Sequence, residues 1–185
     1  VNTAMLGRTL LQAGPPISFG IKVAGWKAAM ARGRQRLRAT AESSLLLQFG
    51  GAVGNLSTLG SGGMKVAQSL AETLELPLAD APWHAHRDRL AELASAAGIL
   101  VGSLGKIARD MSLLMQSEVG ELAELSASGK GGSSAMPHKR NPVGCMQILT
   151  AATRAPGLVS SFLSAMPQEH ERGLGGWQAE WTILP

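Results

Sequence analysis

At 185 residues, 45% hydrophobic and 16% charged, the chain has the composition of an ordinary folded domain with enough apolar mass for a core. A net charge of +4 and a pI near 9.7 raise a nucleic-acid reading, but aromatics make up 4% and tyrosine is absent, so no stacking platform accompanies the charge. The cations are dispersed apart from Arg32, Arg34, Arg36 and Arg38, a cluster suited to a helix end, and the mild positive balance suits small polyanions. A single cysteine, Cys145, excludes an internal disulfide and is compatible with a reducing cytoplasm; Lys106, Arg109 and Asp110 interrupt the best membrane-span candidate.

In chain order, Pro15-Pro16 followed by Ser18 predicts a helix start, with the helix reaching Leu37 or beyond. Gly50, Gly51, Gly54, Gly60, Gly62 and Gly63 mark an irregular connection around a short helical piece. Lys65 to Leu74 reads as another helix, stopped near Pro77. Leu90, Leu93, Ala97, Leu100, Leu104, Ile107, Met111 and Leu114 then alternate three- and four-residue steps, the seam of a long helix in a left-handed bundle. Ala91, Gly98 and Gly105 repeat on the same helix, with Gly102 beside them. A glycine inside a helix costs about 1 kcal/mol against alanine, so the repeat predicts close approach of another helix, in a crowded bundle between subunits.

The period fails after Glu124, and Ser126 to Gly132 reads as a loop. Asn141 is placed as N-cap and Pro142 as first residue of a helix that runs towards Thr153 and must kink or break at Pro156. A last helix is expected over Glu169 to Trp181. No segment alternates with period two over a useful length, so the expected fold is all-α with minor strands. Val1 is not an initiator residue and the chain stops at Leu184-Pro185 without a tail composition. Residues 1–185 are therefore expected to be a fragment of a central helical bundle carrying an active-site loop at 126–142, with the N-terminal domain and a C-terminal part missing.

That loop gathers donors. Gly129, Gly131 and Gly132 free the backbone to approach a ligand, Ser133 and Ser134 add hydroxyls, and Lys139 and Arg140 add charge. The helix expected to start at Asn141-Pro142 turns its positive end to the same spot, which suits a carboxylate or a developing oxyanion. A phosphate loop is excluded, because Glu124 stands where its first glycine is needed and Gly131 follows Lys130 where a hydroxyl is needed. Composition by itself leaves a solvated linker equally open.

Gly132-Ser133-x-x-Met136-x-x-Lys139-x-Asn141 resembles the signature of the fumarase/aspartase superfamily, and Gly7-Arg8-Thr9-Leu10-Leu11-Gln12 resembles its earlier active-site segment. Arg87-Asp88 and Lys106 to Asp110 fall where the family has its central bundle helix. The resemblance implies a long-helix bundle of the L-aspartase-like type and a homotetramer whose sites are shared between subunits. It also implies addition or elimination beside a carboxylate, with no metal or organic cofactor. Fumarases, argininosuccinate lyases and adenylosuccinate lyases have His where this chain has Leu10, and members with a His–Glu acid pair place the Glu where it has Met146; neither residue can donate a proton.

A leaving carboxylate needs no proton, and one branch fits: the lactone-forming cycloisomerases of protocatechuate breakdown, which act on 3-carboxy-cis,cis-muconate. Gln168 to Trp181, Gln48 to Ala52 and Pro82-Trp83-His84 resemble that branch, which has Trp in some members at Leu10 and commonly His at Gln178. The resemblance implies that Lys139 and Asn141, with backbone N–H groups near Ser134, hold an enediolate, while Ser133 serves the carbon-bound proton. Arg172 would clamp a spectator carboxylate of a small tricarboxylate. Arg8, Thr9, Leu10, Met136, His138 and His170 complete the expected substrate contacts. His84 and His86 read as helix-start or surface groups, and Trp177 and Trp181 as a packing pair. No spacing suggests metal ligands, and neither membrane nor nucleic acid is an expected partner. The competing readings are another superfamily lyase, resembling adenylosuccinate lyase, and a catalytically silent helical scaffold.

Overall fold

A computed structural model describes residues 2–125 and 131–183. The element order is β1 (Ala4–Thr9), β2 (Gln12–Ser18), α1 (Phe19–Ser44), a 3-10 turn (Ser57–Gly62), α2 (Gly63–Leu74), α3 (Asp88–Leu114), α4 (Val143–Ser164) and α5 (Gly176–Glu180). The chain divides into two units, residues 1–35 with 99–155 and residues 36–98 with 156–185.

In the first unit, Pro15 and Pro16 do not start a helix; they lie in β2, which pairs antiparallel with β1, Met5 opposite Ile17 and Thr9 opposite Gln12. A residue before proline is pushed towards extended backbone, and a two-stranded ribbon has outer edges where a missing N–H is harmless. The register slips between Leu6 and Arg8, where Gly14 and Pro15 together stand opposite Gly7. The helix start moves to Phe19, with the Ser18 hydroxyl accepting the Ile21 N–H at 3.3 Å. In the same unit α1 meets α3 where a Cβ on Gly33 would lie 2.8 Å from Leu100 Cδ1. Likewise α3 meets α4 where a Cβ on Gly105 would lie 2.5 Å from Ala152 Cβ.

The second unit is organised on Phe162, fully buried against Ala91 and Ala94, with Leu90, Met166 and Ile183 around it. A Cβ on Gly98 would meet Val159 Cγ2 at 2.8 Å, so α3 and α4 approach here as well. Gly98 and Gly105 thus serve helix packing within the chain, while Gly102 faces open space. The side of α3 that is buried is the small-residue stripe of Ala91, Ala94, Gly105 and Ala108, because small residues permit helix contact. Most of the leucine seam is only half-covered, and Leu104 remains 37% exposed. By length and composition α3 could cross a membrane, although only 22% of its apolar window is buried within the chain.

Two further expectations need correction. α4 is not broken at Pro156 but continues to Ser164, the missing N–H costing the helix one bond, to the Ala152 carbonyl. The last helix is confined to Gly176–Glu180, because the preceding residues form turns. There His170 and Gly175 take positive φ, and the Glu169 carboxylate accepts the Leu174 N–H at 3.0 Å. Of the expected loop, residues 126–130 lie outside the described residues.

Candidate active site

In the first unit the hairpin presents Arg8, Thr9 and Leu10. Thr9 pairs with Gln12 across a two-residue turn in which Leu10 and Leu11 both have positive φ, 51° and 66°. A turn of this type ordinarily takes Asn-Gly, so two leucines here store backbone strain. Leu10 is 95% exposed at its tip. Arg8 does not present an open guanidinium: Nη1 donates to Glu121 Oε2 at 2.7 Å and Nη2 to Oε1 at 3.0 Å. That bidentate pair raises the Arg8 pKa and lowers that of Glu121.

The signature loop is held at its neck, where the Asn141 backbone N–H donates to Gly131 O at 2.8 Å and Asn141 Nδ2 donates to Gly132 O at 3.3 Å. Gly131 has φ +74°, and a Cβ there would press on Asn141 O at 3.1 Å. Inside the neck, Ser133 Oγ accepts the N–H groups of Met136 at 3.1 Å and Ala135 at 3.3 Å. Those two donors favour a negative oxygen on Ser133. The Lys139 N–H closes a turn onto Met136 O at 3.1 Å. Ser134, Met136, His138, Lys139 and Arg140 are exposed, while Ser133 and Asn141 are half-buried. A cavity of about 740 Å³ lies beside them, lined in part by Glu124, Gly131, Arg140, Asn141 and Gln147.

Asn141 is not the cap of α4. Its side chain turns back into the loop, and the cap is Glu124, twenty residues upstream, whose carboxylate accepts the N–H of Gly144 at 3.1 Å and Cys145 at 2.9 Å. These backbone donors, Cys145 first, hold the Glu124 carboxyl below its usual range. The positive end of α4 is therefore satisfied by the chain's own carboxylate rather than left for a substrate anion. Burial, and then the neighbouring Glu124, push the Cys145 thiol up to about 11, so Cys145 is an inert packing group. Sequence reading missed Glu124 because a cap normally lies within the first turn it serves; Gly144, which leaves room for the carboxylate, was the available signal.

In the second unit, Arg172 donates through Nη2 to Gly51 O at 3.0 Å and lies over the Trp177 ring, 5.0 Å from its centroid. Trp177 packs edge to face on Trp181 at 5.0 Å, as the packing reading expects, and so also backs Arg172. Gln178 Oε1 accepts the Gly175 N–H at 2.8 Å and caps α5. His170 is exposed. Beneath this segment lies a feature absent from the expected site, a buried ion pair of Arg87 with Glu180. Arg87 Nε donates to Glu180 Oε1 at 2.8 Å, Nη2 donates to Oε2, and Gln168 Nε2 adds a bond to Oε1 at 3.3 Å. Arg87 also donates to Gln48 Oε1 and His84 O, both at 3.3 Å, and lies 5.6 Å from the Trp83 ring centre. Ninety-three residues separate the partners, so no local spacing could announce them.

The structure brings Ser133, Ser134, Met136, His138, Lys139 and Asn141 together on one loop of the first unit, whose hairpin carries Arg8, Thr9 and Leu10. His170 and Arg172 belong to the second unit.

The family described as Lyase matches residues 1–157. A protein of Pseudomonas putida named 3-carboxy-cis,cis-muconate cycloisomerase is 56% identical over 184 residues, covering 100% of this chain and 44% of its own length. Its namesake from Pseudomonas aeruginosa is likewise 56% identical, covering 100% of this chain and 40% of its own length. The crystal structure of 3-carboxy-cis,cis-muconate lactonizing enzyme from Pseudomonas putida superposes with a TM-score of 0.90 at 58% identity, over 100% of this chain and 41% of that one. The chain thus spans less than half the length of these relatives.

Proposed function

Because the chain belongs to the lyase family, within the fumarase/aspartase superfamily, we propose that it is part of a cycloisomerase converting 3-carboxy-cis,cis-muconate to a carboxymuconolactone. The observation that carries this reading is the pair Leu10 and Met146. They occupy the positions where lyases of the superfamily hold an acid, and they are 95% and 57% exposed. No proton can be delivered to a leaving group from either, and a carboxylate needs none.

In the proposed reaction one carboxylate oxygen attacks an alkene carbon and closes the lactone. The displaced π electrons collect on another carboxylate as an enediolate, which is then protonated at carbon. Lys139 and Asn141 stabilise the enediolate, together with N–H groups near Ser134. Ser133, whose oxygen is supported by two backbone donors, exchanges the carbon-bound proton. Arg172 holds a spectator carboxylate through the nitrogens it does not give to Gly51. Arg8 reaches substrate only by exchanging Glu121 for a substrate carboxylate, while Thr9, Leu10, Met136, His138 and His170 shape the remaining contacts.

The half-covered leucine seam of α3 supports burial in a homotetrameric bundle of a cytoplasmic enzyme, to which this chain contributes the central part. Lys139→Ala in the full-length protein is expected to reduce lactone formation by about 10²–10³-fold while leaving the oligomer intact. Loss of diene absorbance, followed on carboxymuconate with adenylosuccinate as control, and size-exclusion chromatography read the two effects. Turnover near that of the unsubstituted protein would overturn the assignment.

A further inference from the structure

The glycine pair Gly50-Gly51 seats two nitrogen-bearing side chains at adjacent residues. A Cβ on Gly50 would stand 2.9 Å from Gly54 Cα and 3.1 Å from His84 Cε1, so glycine there lets both the chain and the imidazole lie close. One residue on, the Gly51 carbonyl takes Arg172 Nη2 at 3.0 Å, from a glycine with φ +73°. Both side chains are fixed from behind. The His84 carbonyl accepts Arg87 Nη1 at 3.3 Å, Arg87 is locked to buried Glu180, and Arg172 rests on Trp177. Among the described residues no hydrogen bond engages either imidazole nitrogen, nor Nε or Nη1 of Arg172.

The charges around this spot favour an anion. Glu180 is engaged by Arg87 and Gln168, and one Glu169 oxygen by the Leu174 N–H, so among the described residues no carboxylate is hydrogen-bonded to the open donors. Burial, followed by Arg172 and Arg87, lowers the His84 pKa, which leaves a neutral ring with one N–H to give at neutral pH.

We propose that His84 is a second recognition group for the carboxylate that Arg172 clamps, the two together reading one spectator carboxylate of the substrate. This rests on the cycloisomerase reading above, and it raises His84 from the surface or helix-start role that the sequence suggests. A carboxylate held by guanidinium and imidazole is fixed in orientation as well as charge, so the pair also discriminates the tricarboxylate from the same diene lacking its third carboxylate.

The test uses the full-length protein with His84→Leu and His84→Gln. His84→Leu is expected to raise KM for 3-carboxy-cis,cis-muconate about tenfold with kcat within about twofold, the effect of one hydrogen bond to a charged group. His84→Gln, which keeps a donor, should recover most of the loss. Unchanged KM in both variants overturns the proposal, as does an equal fall of kcat in both accompanied by a lowered melting temperature. Calorimetric binding of tricarballylate, an unreactive tricarboxylate, separates the two readings. If the unsubstituted protein leaves the diene unconverted, the cycloisomerase reading fails. The role of His84 is then decided by whether His84→Leu weakens tricarballylate binding about tenfold or leaves it unchanged.

Discussion

Two arginine–glutamate pairs of the same bidentate form sit in the two units, and their surroundings make them opposites. Arg8 and Glu121 are 27% and 25% exposed, while Arg87 and Glu180 are 3% and 5% exposed. Water screens the first pair and can replace either partner if the other leaves. The second pair stands where an uncompensated charge has no solvent, and bonds to Gln48, Gln168 and the His84 carbonyl support it. The same chemical pair is thus exchangeable at the hairpin and structural beneath Arg172. That contrast fits the roles proposed for them: Arg8 can trade Glu121 for a substrate carboxylate, whereas Arg87 and Glu180 hold a binding segment still.

The strongest way to break the comparison is Glu180→Ala in the full-length protein, expected to cost about 3–5 kcal/mol in urea unfolding because it leaves Arg87 buried and unpaired. Arg87→Met with Glu180→Leu should return most of that stability, and a double variant as weak as the single one would show that packing rather than charge is at issue. An intermediate case sharpens the contrast: Glu124, half-buried and bound to backbone N–H groups instead of a cation. Glu124→Gln is expected to cost about 1 kcal/mol at neutral pH. The Glu124 carboxyl is lowered in the folded chain, so its contribution is complete above the ordinary carboxyl pKa and vanishes as pH falls through the lower folded value. Melting curves of Glu124→Gln and the unsubstituted protein should therefore converge in acid. The smallest effect belongs to Glu121→Ala, with no change in melting temperature beyond replicate error at any ionic strength. A clear loss at low salt would mean that the exposed pair is structural after all.

How far the sequence reached varied with the range of the interaction. The α3 helix, the short helix before Pro77 and the signature loop were legible because each is set by near neighbours: a repeat, a stop, a run of donors. Pro15-Pro16 misled, since a helix-start pattern and an edge strand satisfy the same fixed φ, and only pairing with β1 decides between them. Pro156 misled for a related reason. A helix can run past a proline at the loss of one hydrogen bond when the packing of its two halves offsets that loss, and packing is a tertiary property. The cap of α4 was assigned to Asn141, the nearest polar residue, because a carboxylate twenty positions away leaves no local trace.

By itself, the sequence determined the family, the helical class and the residues of the loop, since periodicity and a long motif are written in contiguous residues. The tertiary structure decided which charges are already spent. Glu124 occupies the positive end of α4, Glu121 occupies Arg8, and Glu180 occupies Arg87. Among the described residues, Arg172 Nε and Nη1 and the His84 ring nitrogens take no partner beside Gly50-Gly51. A charge is available or neutralised only through partners brought from far along the chain, and folding alone supplies those partners.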